Sequence, residues 1–563
     1  MTTAPEVTPA VDRAQSPARF TGAGVVLAVT AVAVAGLLAS RLRYVPMWDG
    51  RVYADCIVSA ASEKFSIAAL RCGGHASEAY IGFVMLLQSV APESYAPMLA
   101  ANALLLLAAA AAFARVLAIA FPDTHLEMDR ALLVAAFVLN PAILAAVVQP
   151  GLDFPLVPEL LWCLVFLLER KTLWATAMGI AMAFTKETGL LLYGVLVACH
   201  ALWYVLRDGA SIRARGIAIA RLAPLGAPVV AFGFYLYYRS LSARPGTSVM
   251  WNATTTGEGF FHQFLVPRVD LYLINYVVMA LFMNFAWIAS GFIAADAFVG
   301  TVHAAHRMPR RPVDGADSRA AGFLVLLTLV VGYALTRFAT FGNSRYLVTL
   351  MAVLLFPFLA ALIRLRIPAR FRGLVLGTYC GALVVSNVRT VDPVSRWVYG
   401  TFPVGSNEML HMTRITRECC GLGRDQLVYS LEFTSLDALT QRALATLPEL
   451  EVATIVVPDS TNWFTIGPLD ARTRRRTLRR TGTITPRVME PRDVLGATAP
   501  PVRLYYFALP YASAARGLSE LRTLYDGTEQ RYEHAGYTLP VYALTLRARP
   551  SRDSAAVALG GSR

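Results

Sequence analysis

Long apolar stretches constrain this chain more than anything else in it. Thr21–Ser40, Tyr95–Phe121 and Tyr346–Ile363 are each long enough to cross a hydrocarbon core of ~30 Å, which takes roughly 20 residues of helix. Across the 563 residues, 56% are hydrophobic and 16% charged, with a mean hydropathy of +0.51. A soluble domain is less apolar and more charged. The chain reads as a polytopic α-helical membrane protein. Arg13 and Arg19 precede the first stretch as they would precede a signal peptide. The stretch outlasts a usual signal core, and Leu38-Ala39-Ser40 is a poor cleavage site, so a retained signal-anchor is expected.

Apolar runs over 22–40, 95–120, 131–149, 154–168, 173–185, 189–206, 222–238, 272–300, 321–336, 346–363 and 373–388 give about eleven membrane helices. The shorter segment 76–90 suits a helix lying along the membrane surface. Arginines then set the orientation. Arg207, Arg213, Arg215 and Arg221 share one loop, Arg307, Arg310, Arg311 and Arg319 a second, and Arg364, Arg366, Arg370 and Arg372 a third. If each run crosses once, all three loops lie with the N-terminus, which the positive-inside rule places in the cytoplasm. Loops 41–94, 150–153, 239–271 and 337–345 are then extracytoplasmic, as is everything after Asn387. The net charge of +14 is therefore a topology signal and does not call for nucleic acid.

The domain organisation expected is a disordered cytoplasmic tail over 1–20, a transmembrane domain over 21–389, an extracytoplasmic α/β domain over 390–550 and a disordered end over 551–563. Within the third part, Gln426–Phe433, Ala453–Pro458, Val502–Leu509 and Val541–Arg547 read as short strands between helical stretches. Seven cysteines show no zinc spacing. Cys163, Cys199 and Cys380 are apolar fillers of the spans, while Cys56 and Cys72 share loop 41–94, where a disulfide between them is one option.

An apolar chain has few places for polar chemistry, and five stand out. Trp48-Asp49-Gly50 follows the first span; a partly desolvated carboxylate there can act as general base, or Asp49 is a loop acid or helix cap. Asp153, at the tip between two spans before Pro155, can cap a helix, line the same surface, or both. Glu159 sits deeper on the same span. Lys186 and Glu187, in Phe-Thr-Lys-Glu-Thr-Gly, fall between two short runs, where a helix break can line a polar cavity and a lysine suits a phosphate. Only three of the 51 basic residues are lysine, which makes Lys186 conspicuous. Arg345-Tyr346 can clamp a phosphate or sit as an interfacial pair. His75, with Glu78 close behind, is the fifth.

Taken in order, these features resemble the GT-C membrane glycosyltransferases, especially bacterial relatives of glycosyltransferase family 39. The family's acidic residue after the first span is matched by Asp49, although the usual following Glu is replaced by Gly50. His75 stands where the family has a His-Pro-Pro-Leu turn, with Ala76-Ser77 in place of the prolines. Asp153 matches its acidic tip, Phe184-Thr-Lys-Glu-Thr-Gly its helix break, and Asn343-Ser-Arg-Tyr-Leu its late arginine motif. The resemblance covers about residues 20–365 and implies transfer of a sugar from a polyprenyl-phosphate carrier to an extracytoplasmic lipid, glycan or protein. It implies Asp49 as catalytic base and Asp153, Lys186, Glu187, Arg345, Tyr346 and His75 as substrate-binding residues. No motif calls for a cofactor; the missing second carboxylate leaves a divalent metal open. The expected location is a bacterial plasma membrane. A transporter or flippase for a lipid-linked or anionic substrate is the alternative, since broken spans and a Lys-Glu pair at membrane depth also suit a carrier. A non-enzymatic scaffold is the third reading.

Overall fold

The computed structural model describes residues 22–40, 75–91, 95–206, 212–242, 283–306, 315–338, 344–387, 401–404, 407–413, 454–458, 487–508, 513–534 and 537–547, with scattered positions in 46–61, 280–281, 394–397 and 438–447. Helices dominate the first two thirds. In chain order they are α1 Gly22–Ala39, α2 Glu78–Gln88, α3 Ala96–Ala120, α4 Glu127–Val138, α5 Pro141–Val148, α6 Leu156–Leu168, α7 Thr172–Thr185, α8 Glu187–Ala201, α9 Ile212–Ala220, α10 Ala227–Ser242, α11 Ala286–Ala305, α12 Ser318–Phe338, α13 Val348–Val353, α14 Leu355–Arg364 and α15 Ala369–Ser386.

Each of the eleven apolar runs overlaps helix, but they are not eleven equal spans. Among the described residues, six helical segments are long and apolar enough to cross a membrane, or seven if one bent pair counts as a span. The rest are shorter. At 1.5 Å per residue α6 rises only about 20 Å and α7 about 21 Å, less than a hydrocarbon core needs. The segment read as one run over 131–149 is broken into α4 and α5, bent by 49°. Pro141 is the cause: it has no N–H to continue the ladder and its ring crowds the preceding turn. Asn140 restarts the helix by accepting from Ala142 N at 3.0 Å, and Asn387 donates to the freed Leu139 carbonyl at 2.8 Å. The run drawn over 272–300 also differs. Asn284 and Phe285 are left-handed, with φ of 55° and 60°, so α11 begins only at Ala286 and continues to Ala305. The surface segment 76–90 is helical as α2.

A second break separates α7 from α8 at Lys186, which is extended at φ −166° and ψ 150°. Gly189 permits it. A Cβ there would collide with the Met182 carbonyl oxygen and come to 2.7 Å from Leu156, so only glycine lets α8 start this close to α7 and α6. The segment Arg345–Arg364, made of a 3₁₀ turn, α13 and α14, is 89% buried over its apolar window. It is the most enclosed of the candidate spans, and it carries Arg345 at its tip.

The C-terminal part holds a hairpin of β1 Thr401–Val404 with β2 Asn407–Thr413, and a mixed sheet of β3 Thr454–Val456, β4 Arg487–Met489, β5 Arg503–Phe507, β6 Tyr525–His534 and β7 Tyr537–Leu546. The sheet order is β4-β3-β5-β7-β6; β3 runs parallel to β4 and β5, and the β7 contacts are antiparallel. Val456, Leu504, Tyr506, Tyr525 and Leu544 form its core, beside the short helices α16 Pro491–Leu495 and α17 Ser513–Leu521. Three of the four strands read from sequence fall on β3, β5 and β7. The fourth, Gln426–Phe433, lies outside the described residues.

Candidate functional site

Two chain breaks meet. The turn between α5 and α6 carries Asp153, and the break between α7 and α8 carries Lys186. Lys186 Nζ lies 2.5 Å from Asp153 Oδ1, and Arg345 Nε approaches Asp153 Oδ2 at 3.6 Å. Tyr346 supplies a floor: Lys186 Nζ stands 4.7 Å from its ring centroid and the Arg345 guanidinium 5.2 Å. Two cations thus share one carboxylate. The side chains are 9% exposed for Lys186, 14% for Asp153 and 20% for Arg345, so the cluster is desolvated enough for its charges to matter yet still reachable. It brings two cationic side chains and one carboxylate together over an aromatic face, a donor set that suits an anion.

The other two residues singled out in the sequence form a second contact beside the first. Glu187, in the first turn of α8, takes His75 Nδ1 at 2.9 Å with Oε2 and the Ala76 N–H at 3.0 Å with Oε1. Glu78 accepts from Ser77 N at 2.9 Å and from Tyr235 of α10 at 2.7 Å. These bonds pin the start of α2 onto α8 and α10. Glu187 and His75 are therefore spent on each other in this structure, while Lys186, one residue away, faces Asp153. One turn into α6, Glu159 accepts from Thr185 at 2.7 Å, so Thr185 and Lys186 each reach across to an acid of the facing segment.

Asp49 and Asn343 lie outside the described residues. Gly50, next to Asp49, is described and buried. A Cβ on it would come to 2.8 Å from Gln149 Nε2 and 2.9 Å from the Pro150 carbonyl oxygen. Gly50 is thus packed on the same turn that leads to Asp153. Cys56, a little further on, is in a disulfide; Cys72 lies outside the described residues. Cys163, Cys199 and Cys380 are buried and free, as expected of span fillers. Sequence reading passed over Tyr80 and Asn102, two buried polar residues of apolar helices that brace the Asp153 turn. Among the described residues no group of three or more His, Cys, Asp or Glu is arranged to hold a metal ion.

The molecule is thus a mostly helical membrane protein with a small α/β domain and a charged cluster where two broken helical segments meet. No protein-family model matches the chain, and no curated protein does. Among solved structures it is similar to ArnT from Cupriavidus metallidurans bound to undecaprenyl phosphate, at 15% identity and a TM-score of 0.49. It is also similar to the apo state of ArnT, at 13% identity and a TM-score of 0.48; each alignment covers 93% of this chain and 98% of the other. That likeness is one of overall course. The chemistry rests on this chain's own side chains.

Proposed function

We propose that this chain is an integral membrane glycosyltransferase that moves a sugar from a polyprenyl-phosphate carrier to an extracytoplasmic acceptor. The observation that carries the reading is the meeting of Asp153, Lys186 and Arg345 from three separate segments over the Tyr346 ring. Their order along the chain is the order of the GT-C motifs they resemble. The disulfide at Cys56 supports an oxidising, extracytoplasmic face for the first loop, and with it a bacterial plasma membrane with the N-terminus inside.

In the proposed reaction Asp49 takes the proton of an acceptor hydroxyl. The hydroxyl oxygen attacks the anomeric carbon, and the bond from that carbon to the carrier phosphate breaks. The electron pair leaves with the polyprenyl phosphate, whose charge Lys186 and Arg345 stabilise. One carboxylate suffices as base when the leaving group is already a phosphate. Asp153 keeps the two cations apart and aimed, and orients sugar or acceptor. Attack opposite the leaving group inverts the anomeric centre.

The test is sugar transfer from polyprenyl-phosphate donors by the full-length protein in reconstituted membranes, wild type against Asp49→Asn. Wild-type transfer with a loss of at least about a hundredfold in the variant is expected for removal of a general base. An Asp49→Asn enzyme as fast as wild type sinks the base assignment. No transfer by wild type with any donor sinks the activity and favours the carrier reading.

A further inference from the structure

Tyr80 touches none of the charged groups of the cluster, yet it governs where one of them stands. Its ring, on α2, is 2% exposed. Its hydroxyl donates to Asn102 Oδ1 of α3 at 3.0 Å. Asn102, 1% exposed, donates in turn to the Val147 carbonyl at 2.9 Å. The helix end that leads into the Asp153 turn is therefore held from α3. Val147 lies in the last turn of α5. Leu152 is buried with Tyr53, Ile57, Tyr80 and Val84, which adds an apolar seat.

We infer that Tyr80 is a positioning residue: through Asn102 and its packing with Leu152 it fixes the turn that sets Asp153 against Lys186 and Arg345. The placement of α2 makes this more than local packing. Its start is pinned by Glu187, the neighbour of Lys186, and its next turn holds the Asp153 turn through Tyr80. One surface helix thus braces both partners of the Asp153–Lys186 pair. Residues 150–153 lie between two helices, and none of them takes part in a backbone–backbone hydrogen bond among the described residues. Without the phenolic oxygen, Asn102 Oδ1 loses its buried partner, and such a group is not left unmet without cost. The turn then relaxes, and Asp153 loses its fixed approach to Lys186.

The chain's lysine content supplies a clean readout. It has three lysines, Lys64, Lys171 and Lys186. The full-length protein in detergent is treated with an amine-acetylating reagent, and labelling is read at each lysine by mass spectrometry. In the wild type Lys186, paired and 9% exposed, is slow, while Lys171, 54% exposed, is the internal standard. Tyr80→Phe is expected to raise the Lys186 rate about fivefold, the change that matches one net hydrogen bond, with Lys171 unchanged. A Lys186 rate equal to wild type overturns the inference. So does a parallel rise at both lysines, which would mark general loosening. If Tyr80→Phe does not yield folded protein, Asn102→Ser is read by the same ratio, with the same two overturning results. The inference rests on the charged cluster and concerns the site of the proposed transfer; a wild type that transfers no sugar sinks that activity and leaves the labelling ratio to decide this one.

Discussion

Gly50 and Gln149 stand closer than any side chain at position 50 would allow. A Cβ built on Gly50 meets the Gln149 side chain, at 2.8 Å from Nε2, and the Pro150 carbonyl oxygen at 2.9 Å. Gly50 is thereby in contact with the turn that leads to Asp153. Gly50→Ala is expected to overpack that contact at a cost of about 1–3 kcal/mol. Thermal unfolding of the detergent-solubilised protein should show the drop, and Gln149→Ala in the same chain should restore part of it, because the backbone contact remains. An unchanged midpoint in Gly50→Ala would remove the close approach from the argument.

The Asp153–Lys186 pair makes a second prediction through its burial. Asp153→Asn takes away the carboxylate that Lys186 and Arg345 share. Breaking one partner of a buried pair costs about 3–5 kcal/mol, whereas losing both charges together costs less. The double variant Asp153→Asn with Lys186→Met is therefore expected to unfold at a higher temperature than Asp153→Asn alone. Equal or lower stability of the double variant would show that the two charges are not coupled.

Glu187 holds the start of the surface helix, with one oxygen on the His75 ring and the other on the Ala76 N–H. Glu187→Ala frees both. Amide hydrogen exchange at Ala76 is expected to speed up by about tenfold, in line with a charged hydrogen bond of about 1.5 kcal/mol, while Ser77 keeps its bond to Glu78. Exchange within α3 should not move. Glu187→Gln keeps an acceptor for Ala76 and should fall between the two. Ala76 exchange in Glu187→Ala that matches wild type would mean the contact holds nothing.

These residues also mark how far the sequence could be read. The break at Pro141 was not legible, since 131–149 reads as one run; the Lys186 break and the spans were, because short runs flank the one and apolar run length follows membrane thickness in the other. The number of spans was not: α6 and α7 look like spans by composition, but their helices stop short. Asp153, Lys186, Arg345, Tyr346, Glu187 and His75 were each visible as polar residues at apolar edges. That they divide into a cluster and a separate clasp was not visible, because His75 and Glu187 meet across 112 residues of chain. Tyr80 and Asn102 gave no signal at all. One of 23 tyrosines in an apolar helix looks like packing until its partner is known. Strand β6 was missed for the opposite reason: Asp526–His534 is mostly exposed and polar, as an edge strand can be, and shows no apolar alternation.

The α/β domain carries its own pH dependence, outside the membrane segments. Tyr506 is buried at the centre of the sheet and donates to the Ala514 carbonyl at 2.7 Å; burial pushes its phenol well above the usual range. Tyr525, which donates to Pro501 O at 2.9 Å, is raised in the same direction by burial. A phenol with a raised folded pKa keeps its proton in the folded state after the unfolded chain has lost it. Its contribution is therefore complete below the unfolded value of about 10 and is lost as pH rises above it. Exchange of the Tyr505–Phe507 amides should accelerate between about pH 9.5 and 11 beyond the base-catalysed trend. Tyr506→Phe is expected to lower stability by about 1 kcal/mol at neutral pH and to flatten the alkaline slope, with Tyr525 and Tyr542, both raised by burial, supplying what remains. An alkaline slope as steep in Tyr506→Phe as in wild type would show that this phenol does not set the domain's response.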